Sequence, residues 1–163
     1  MLVKLELVGV RLEVPSQSPV MMLREEGDSE RVLPIYIGAP EASAIHYALE
    51  GIVPDRPLTH DLLVNVVRGL GASFSKIVIT EVKDHTYFAE LHFSFAGSDI
   101  VISSRPSDAV AVAIRTETPI YASDDLLREV AKSPVVAAVD NEEEILDDFR
   151  EFINSINPED FEG

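Results

Sequence analysis

Six apolar residues run without a break from Ala109 to Ile114. On a helix of 3.6 residues per turn such a run faces every direction, so this segment fits only an element buried all round. Its alanines let neighbouring elements come close. Its ends are charged instead: the run is entered through Arg105, Pro106, Ser107 and Asp108 and left through Arg115. Pro106 suits the first helical position, where no N–H is lost. Asp108 near the start and Arg115 near the end both suit the helix dipole. Arg105 does not, because a cation at a helix N-terminus opposes that dipole. It is expected to face a carboxylate or an anion. A chain built round such a helix must supply layers on both sides of it.

The rest of the chain reads as strands and short helices. "VKLELVGVRLEV" over 3–14 is strand-like, and its apolar phase flips at Gly9, which predicts a bulge or a bend. "PVMMLREE" and "RVLPIYIG" follow across a turn at Gly27-Asp28. "APEASAIHYALEG" then reads as a helix with Pro40 in its first turn and Gly51 as its stop. A second helix follows in "THDLLVNVVRGLG", with Thr59 as its cap and Leu62, Leu63, Val66, Val67 and Leu70 as its apolar face. "SFSKIVITEVKD" and "TYFAELHFSF" predict a hairpin around Asp84-His85, "SDIVISS" a further strand, and residues 106–115 the buried helix. "PIYAS" and "DDLLREVA" close the body. The fold class is therefore α+β, with mostly antiparallel sheet. Aligning Pro40 with Pro106 sets two strand–proline–helix units about 66 positions apart, consistent with a duplicated three-strand-plus-helix unit or with common reuse of such a unit.

At 163 residues the chain is long enough for one cored domain. Two regions are expected, a body over 1–132 and an acidic helical extension over 133–163. In the extension Ile145, Leu146, Phe149, Phe152, Ile153 and Ile156 recur at helical spacing. No segment approaches the roughly 20 apolar residues of a membrane span. "MLVKLELV" is broken by Lys4 and Glu6 and is no signal-peptide core. Without cysteine there is neither a disulfide framework nor a thiolate zinc site. A cytoplasmic protein is the simplest expectation. The net charge is −16. Residues from Asp140 onward carry ten acids against one base, a share of −9, which leaves −7 for residues 1–139. Such a chain repels phosphate backbones at long range, so a nucleic-acid role needs a local basic patch or a bound divalent cation.

Three acids stand at predicted helix starts: Glu41, Asp61 and Asp108. Each is explained singly as a dipole partner. If the three helix starts converge, they form a carboxylate cluster with His60 beside it, an oxygen-rich set that suits Mg²⁺ or Mn²⁺. Glu41, Asp61 and Asp108 would hold the metal, His60 would transfer a proton, and Arg105 would hold a phosphate. His46 and His92 read as structural and His85 as solvated. The sequence has no Gly-rich phosphate loop, no His-x-x-x-His pair, no nucleophile elbow and no aromatic–basic stripe.

"LPIYIGAPEASAIHYALEG", "RPLTHDLLVNVV", "KIVITEVKDHTYFAELHF" and "SSRPSDAVAVAIRTETPIY" occur together and in order. Across roughly residues 3–132 they closely resemble the bifunctional nuclease domain family of bacteria and plants. The resemblance implies hydrolysis of RNA and DNA on a compact, oligomeric α+β fold. Its polar motifs fall on Glu41, on Thr59-His60-Asp61, and on Arg105, Ser107 and Asp108. Those are the residues singled out by the reasoning from helix starts, with Ser107 added as a phosphate contact beside Arg105. The function expected is a metal-assisted nuclease. The alternative is a non-enzymatic module that binds an anion or a protein through the same helix starts. A homo-oligomer, most simply a dimer, is expected because strands such as 3–14 carry apolar residues on both faces.

Overall fold

A computed structural model describes residues 1–27 and 31–131. The expected extension over 133–163, its apolar stripe and Asp28 of the predicted turn lie outside the described residues. Seven strands form one sheet in the order β3-β2-β1-β7-β4-β5-β6. The strands are β1 (Leu2–Glu13), β2 (Ser18–Glu25), β3 (Val32–Tyr36), β4 (Ser73–Lys83), β5 (Thr86–Phe95), β6 (Ser98–Ser104) and β7 (Ile120–Ser123). Among the described residues four helices complete the α+β fold: α1 (Ala39–Leu49), α2 (Thr59–Gly69), α3 (Pro106–Thr116) and α4 (Asp124–Val130). All pairings are antiparallel except β4 with β7.

The plan of three antiparallel strands followed by a proline-initiated helix occurs twice. β1–β3 lead to α1 and β4–β6 lead to α3. The structure adds β7, which enters the middle of the sheet and joins the two meanders. The local signals act as expected at several points. The register of β1 against β2 shifts between Leu7 and Gly9, where Gly9 has φ +151°. Asp84 and His85 both take positive φ in the β4–β5 turn, the conformation that a two-residue hairpin loop demands.

Helix α3 sits between the sheet and the other helices. It packs on β4 and β5 on one side and on α1 and α2 on the other. Seven of its residues are buried: Pro106, Ser107 and every residue from Ala109 to Ala113. Fully buried Val110 and Val112 each contribute about 1.5–3 kcal/mol relative to exposure. The uninterrupted apolar run thus has its cause in packing on all sides.

Most of the apolar stripe of α2 faces away from the core, and of its five residues Val67 alone packs against it. Leu62, Leu63, Val66 and Leu70 are all exposed, and the helix buries His60 and Val64 instead. The reason lies in two side-chain pairs to α3, described below, which fix the rotation of α2 about its axis. The N-cap is Leu58 rather than Thr59, and the Asp61 carboxylate accepts the Leu58 amide at 2.9 Å.

Candidate active site

The N-terminal ends of α1, α2 and α3 are linked by a chain of four polar side chains. Arg105 is the N-cap of α3 and has an extended backbone that directs its side chain across to α1. Its Nη2 donates to Glu41 Oε1 at 2.6 Å and its Nε donates to Asp108 Oδ2 at 2.7 Å. The other Asp108 oxygen, Oδ1, lies 2.8 Å from His60 Nε2 on α2. Glu41, Arg105, Asp108 and His60 are therefore one connected group. The cation that opposes the α3 dipole faces two carboxylates.

The four differ in access. Arg105 has 65% of its side chain exposed, against 13% for Glu41 and 11% for His60. Its third nitrogen, Nη1, is in neither ion pair. Burial, the largest single influence on Asp108, would raise its pKa; the hydrogen bonds from Arg105 and His60 outweigh it and hold the carboxyl below its ordinary value. Asp108 is thus ionised near neutral pH, and His60 donates to it from Nε2–H. Among the described residues no buried side-chain nitrogen or oxygen lacks a partner. Among the described residues Nδ1 of His60 makes no hydrogen bond, and the ring is largely buried. The imidazole is held by one nitrogen and unpaired at the other.

Asp61 does not join this group. Its carboxylate accepts Nε of Arg115 at 2.6 Å and the Leu58 amide. Arg115 has only 10% of its side chain exposed. Its Nη1 donates to Ala111 O at 2.8 Å and its Nη2 to Ala44 O at 3.0 Å, so one guanidinium ties α1, α2 and α3 together. Burial would raise the Asp61 pKa, but the Arg115 and Leu58 hydrogen bonds and the nearby charges hold it below the ordinary value. Ser107 is buried within α3. Among the described residues no group of three or more His, Asp or Glu side chains is placed to hold a metal ion. Arg105 lies between Glu41 and Asp108 where a cation would have to sit, and Asp61 is committed to Arg115. As arranged, these donors do not fit a resident divalent ion.

Two residues with clear roles here escaped the sequence reading. Arg115 was legible only as a dipole partner, because its bonds to Asp61 and Ala44 span 54 and 71 positions. Gly38 is the other. A Cβ there would collide with Oε2 of Glu41, so the glycine leaves room for the carboxylate to fold back toward Arg105. The Gly38 backbone, at φ −74° and ψ 154°, is ordinary for any residue. Gly38→Ala is therefore expected to displace the flexible Glu41 side chain without straining the backbone. The exposed ion pair it weakens is worth about 0.2–1 kcal/mol, and the stiffer unfolded chain returns about 0.4–1 kcal/mol. Thermal unfolding should change little, while the NMR signals of the Arg105 Nη–H protons, which include the donor to Glu41, should shift clearly.

Both depressed carboxyls also contribute to stability that acid removes. A group with a lowered folded-state pKa contributes stability above its unfolded value and loses it as pH falls through the folded one. Asp61 and Asp108 should thus make stability fall steeply below about pH 4. Chemical unfolding at stepped pH should show that slope reduced in Asp61→Asn, which no longer takes up a proton on unfolding.

Residues 21–134, more than half of the chain, match the family described as "Bifunctional nuclease domain". The chain belongs to the bifunctional nuclease domain family. An uncharacterised protein of Mycobacterium tuberculosis is 37% identical over 165 residues, covering 98% of both chains. Bifunctional nuclease 2 of Arabidopsis thaliana is 29% identical across 66% of this chain and 34% of its own length. Bifunctional nuclease 1 of Oryza sativa subsp. japonica is 25% identical across 68% of this chain and 34% of its own. The match thus spans about a third of the plant proteins. The membership makes this a nuclease-family domain, and Glu41, His60, Arg105 and Asp108 all lie inside the matched segment. No helix among the described residues is long and apolar enough to cross a membrane.

Proposed function

We propose that this domain hydrolyses phosphodiester bonds of RNA or DNA at the Glu41–Arg105–Asp108–His60 group. The observation that carries this reading is the Asp108–His60 pair, with Nδ1 of the imidazole unpaired among the described residues and an exposed guanidinium on the same carboxylate. Arg105 offers Nη1 to a phosphate oxygen while its other nitrogens stay paired. His60 Nδ1 takes a proton from the attacking water as the new P–O bond forms, and the ester P–O bond breaks. The departing oxygen takes up a proton, so the products are a phosphate monoester and a free hydroxyl. Asp108 fixes the tautomer and stabilises the imidazolium. Expected Mg²⁺ or Mn²⁺ assistance would require the metal to arrive with the substrate phosphate, because the acids are already engaged.

A second reading has its own support. The group carries two carboxylates against one guanidinium, on a chain of net charge −16. That balance opposes a phosphate backbone and so favours the non-enzymatic alternative, here as a module that meets a protein partner through the same helix starts. The test is incubation of the purified protein with single-stranded RNA and DNA, with EDTA, Mg²⁺ or Mn²⁺, beside Asp108→Asn prepared identically. Cleavage by the wild type that the variant lacks supports hydrolysis. Equal cleavage by both traces it to a contaminant and leaves the binding module as the better account.

A further inference from the structure

We propose that β6 is the contact through which two copies of this chain pair, edge to edge and antiparallel, across a two-fold axis at Val101. Among the described residues β3 and β6 are the two edges of the sheet, and natural proteins usually blunt such edges with short strands, proline, charge or bulges. The β3 edge is blunted: it has five residues and carries Pro34 in the middle. The β6 edge is not. It runs seven residues in regular register with β5, without proline, and Asp99 is its only charge. Six of the seven residues are exposed, including Ile100, Val101 and Ile102, the last two at 50%. Among the described residues nothing pairs with its outer side.

The strand's own sequence identifies the occupant. "SDIVISS" reads nearly the same in both directions about Val101. Antiparallel pairing on that centre sets Ile100 opposite Ile102 of the partner copy, Asp99 opposite Ser103, and Ser98 opposite Ser104. No like charges meet, and each isoleucine pair forms a cross-strand contact of the stabilising kind. Ile100 and Ile102 lie across from Phe93 and Leu91, on the side of the sheet packed by helices, so the pairing continues the core into the partner. The exposed side of α2 is also apolar, but its sequence specifies no particular partner. In this register Arg105, just past the strand, comes level with Gly97 of the partner copy. The β5–β6 turn of one copy then borders the polar group of the other.

The chain has no cysteine, which makes the test clean. In Val101→Cys the two introduced thiols face each other across the axis, about 4.5–5.5 Å apart at Cα and within disulfide reach. In Asp99→Cys they are offset by four residues, about 14 Å, and out of reach. Mild oxidation at micromolar concentration should link most of the Val101→Cys protein into a dimer and leave Asp99→Cys single. Val101→Lys should be a folded monomer by circular dichroism and light scattering. The proposal is overturned if the wild type scatters as a monomer, if the two cysteine variants link equally, or if Val66→Cys on α2 links while Val101→Cys does not.

Discussion

Replacing Arg115 with alanine is expected to lower the stability of the fold by about 3–5 kcal/mol. The side chain is nearly buried and all three of its nitrogens are used, on Asp61, on Ala111 O and on Ala44 O. Its removal leaves a half-buried carboxylate without its cation and frees two helix carbonyls. Breaking such a pair from one side is costly because the surviving charge stays desolvated. Most domains have only about 5–15 kcal/mol in total, so the variant should be markedly easier to unfold. Arg115→Lys keeps the charge but has no planar fork to reach three acceptors, and should recover only part of the loss. Urea unfolding should show a lower midpoint with an unchanged slope. A loss under about 1 kcal/mol in Arg115→Ala would mean that the three helices are held by apolar contact alone.

The second large effect concerns turnover. If His60 moves the proton, His60→Gln should reduce kcat for nucleic-acid cleavage by about 10²–10⁴-fold. Glutamine keeps a donor for Asp108 and roughly fills the site, so the fold should persist. Asp108→Asn should fall in the same range, because the tautomer is no longer imposed. Arg105→Ala should act mainly on KM, since an exposed guanidinium that meets phosphate contributes to binding in both ground and transition states. That split between kcat and KM separates the roles. Equal losses in all three variants, matched by a loss of folded protein, would point to a structural group instead.

The strands and most helix limits were legible because their signals are local: alternation along β5, the phase change at Gly9, proline and glycine at helix ends. The burial of α3 was legible for the same reason, since six apolar residues in succession leave no solvent side. The rotation of α2 was not. Its sequence places a clear apolar stripe on Leu62, Leu63, Val66, Val67 and Leu70, and the periodicity rule sends all of it inward, where only Val67 of the five goes. What prevails is the pairing of His60 with Asp108 and of Asp61 with Arg115, across 48 and 54 positions. Of the candidate residues, Glu41, His60, Arg105 and Asp108 meet. Asp61 is drawn off by Arg115, a competition between two arginines for three acids that spacing along the chain does not reveal.

The way α2 is held has a consequence in time as well as in space. A helix with one exposed side, held by Val64, Val67 and two polar pairs, opens more readily than the sheet once one of those pairs is lost. The sheet and α3 can stay intact while α2 swings out. His60 travels with it, so each opening dismantles the dyad and each closing rebuilds it. Any partner or solvent condition that shields the outer side of α2 lengthens the closed intervals, and the fraction of molecules competent at a given instant becomes a property of one helix.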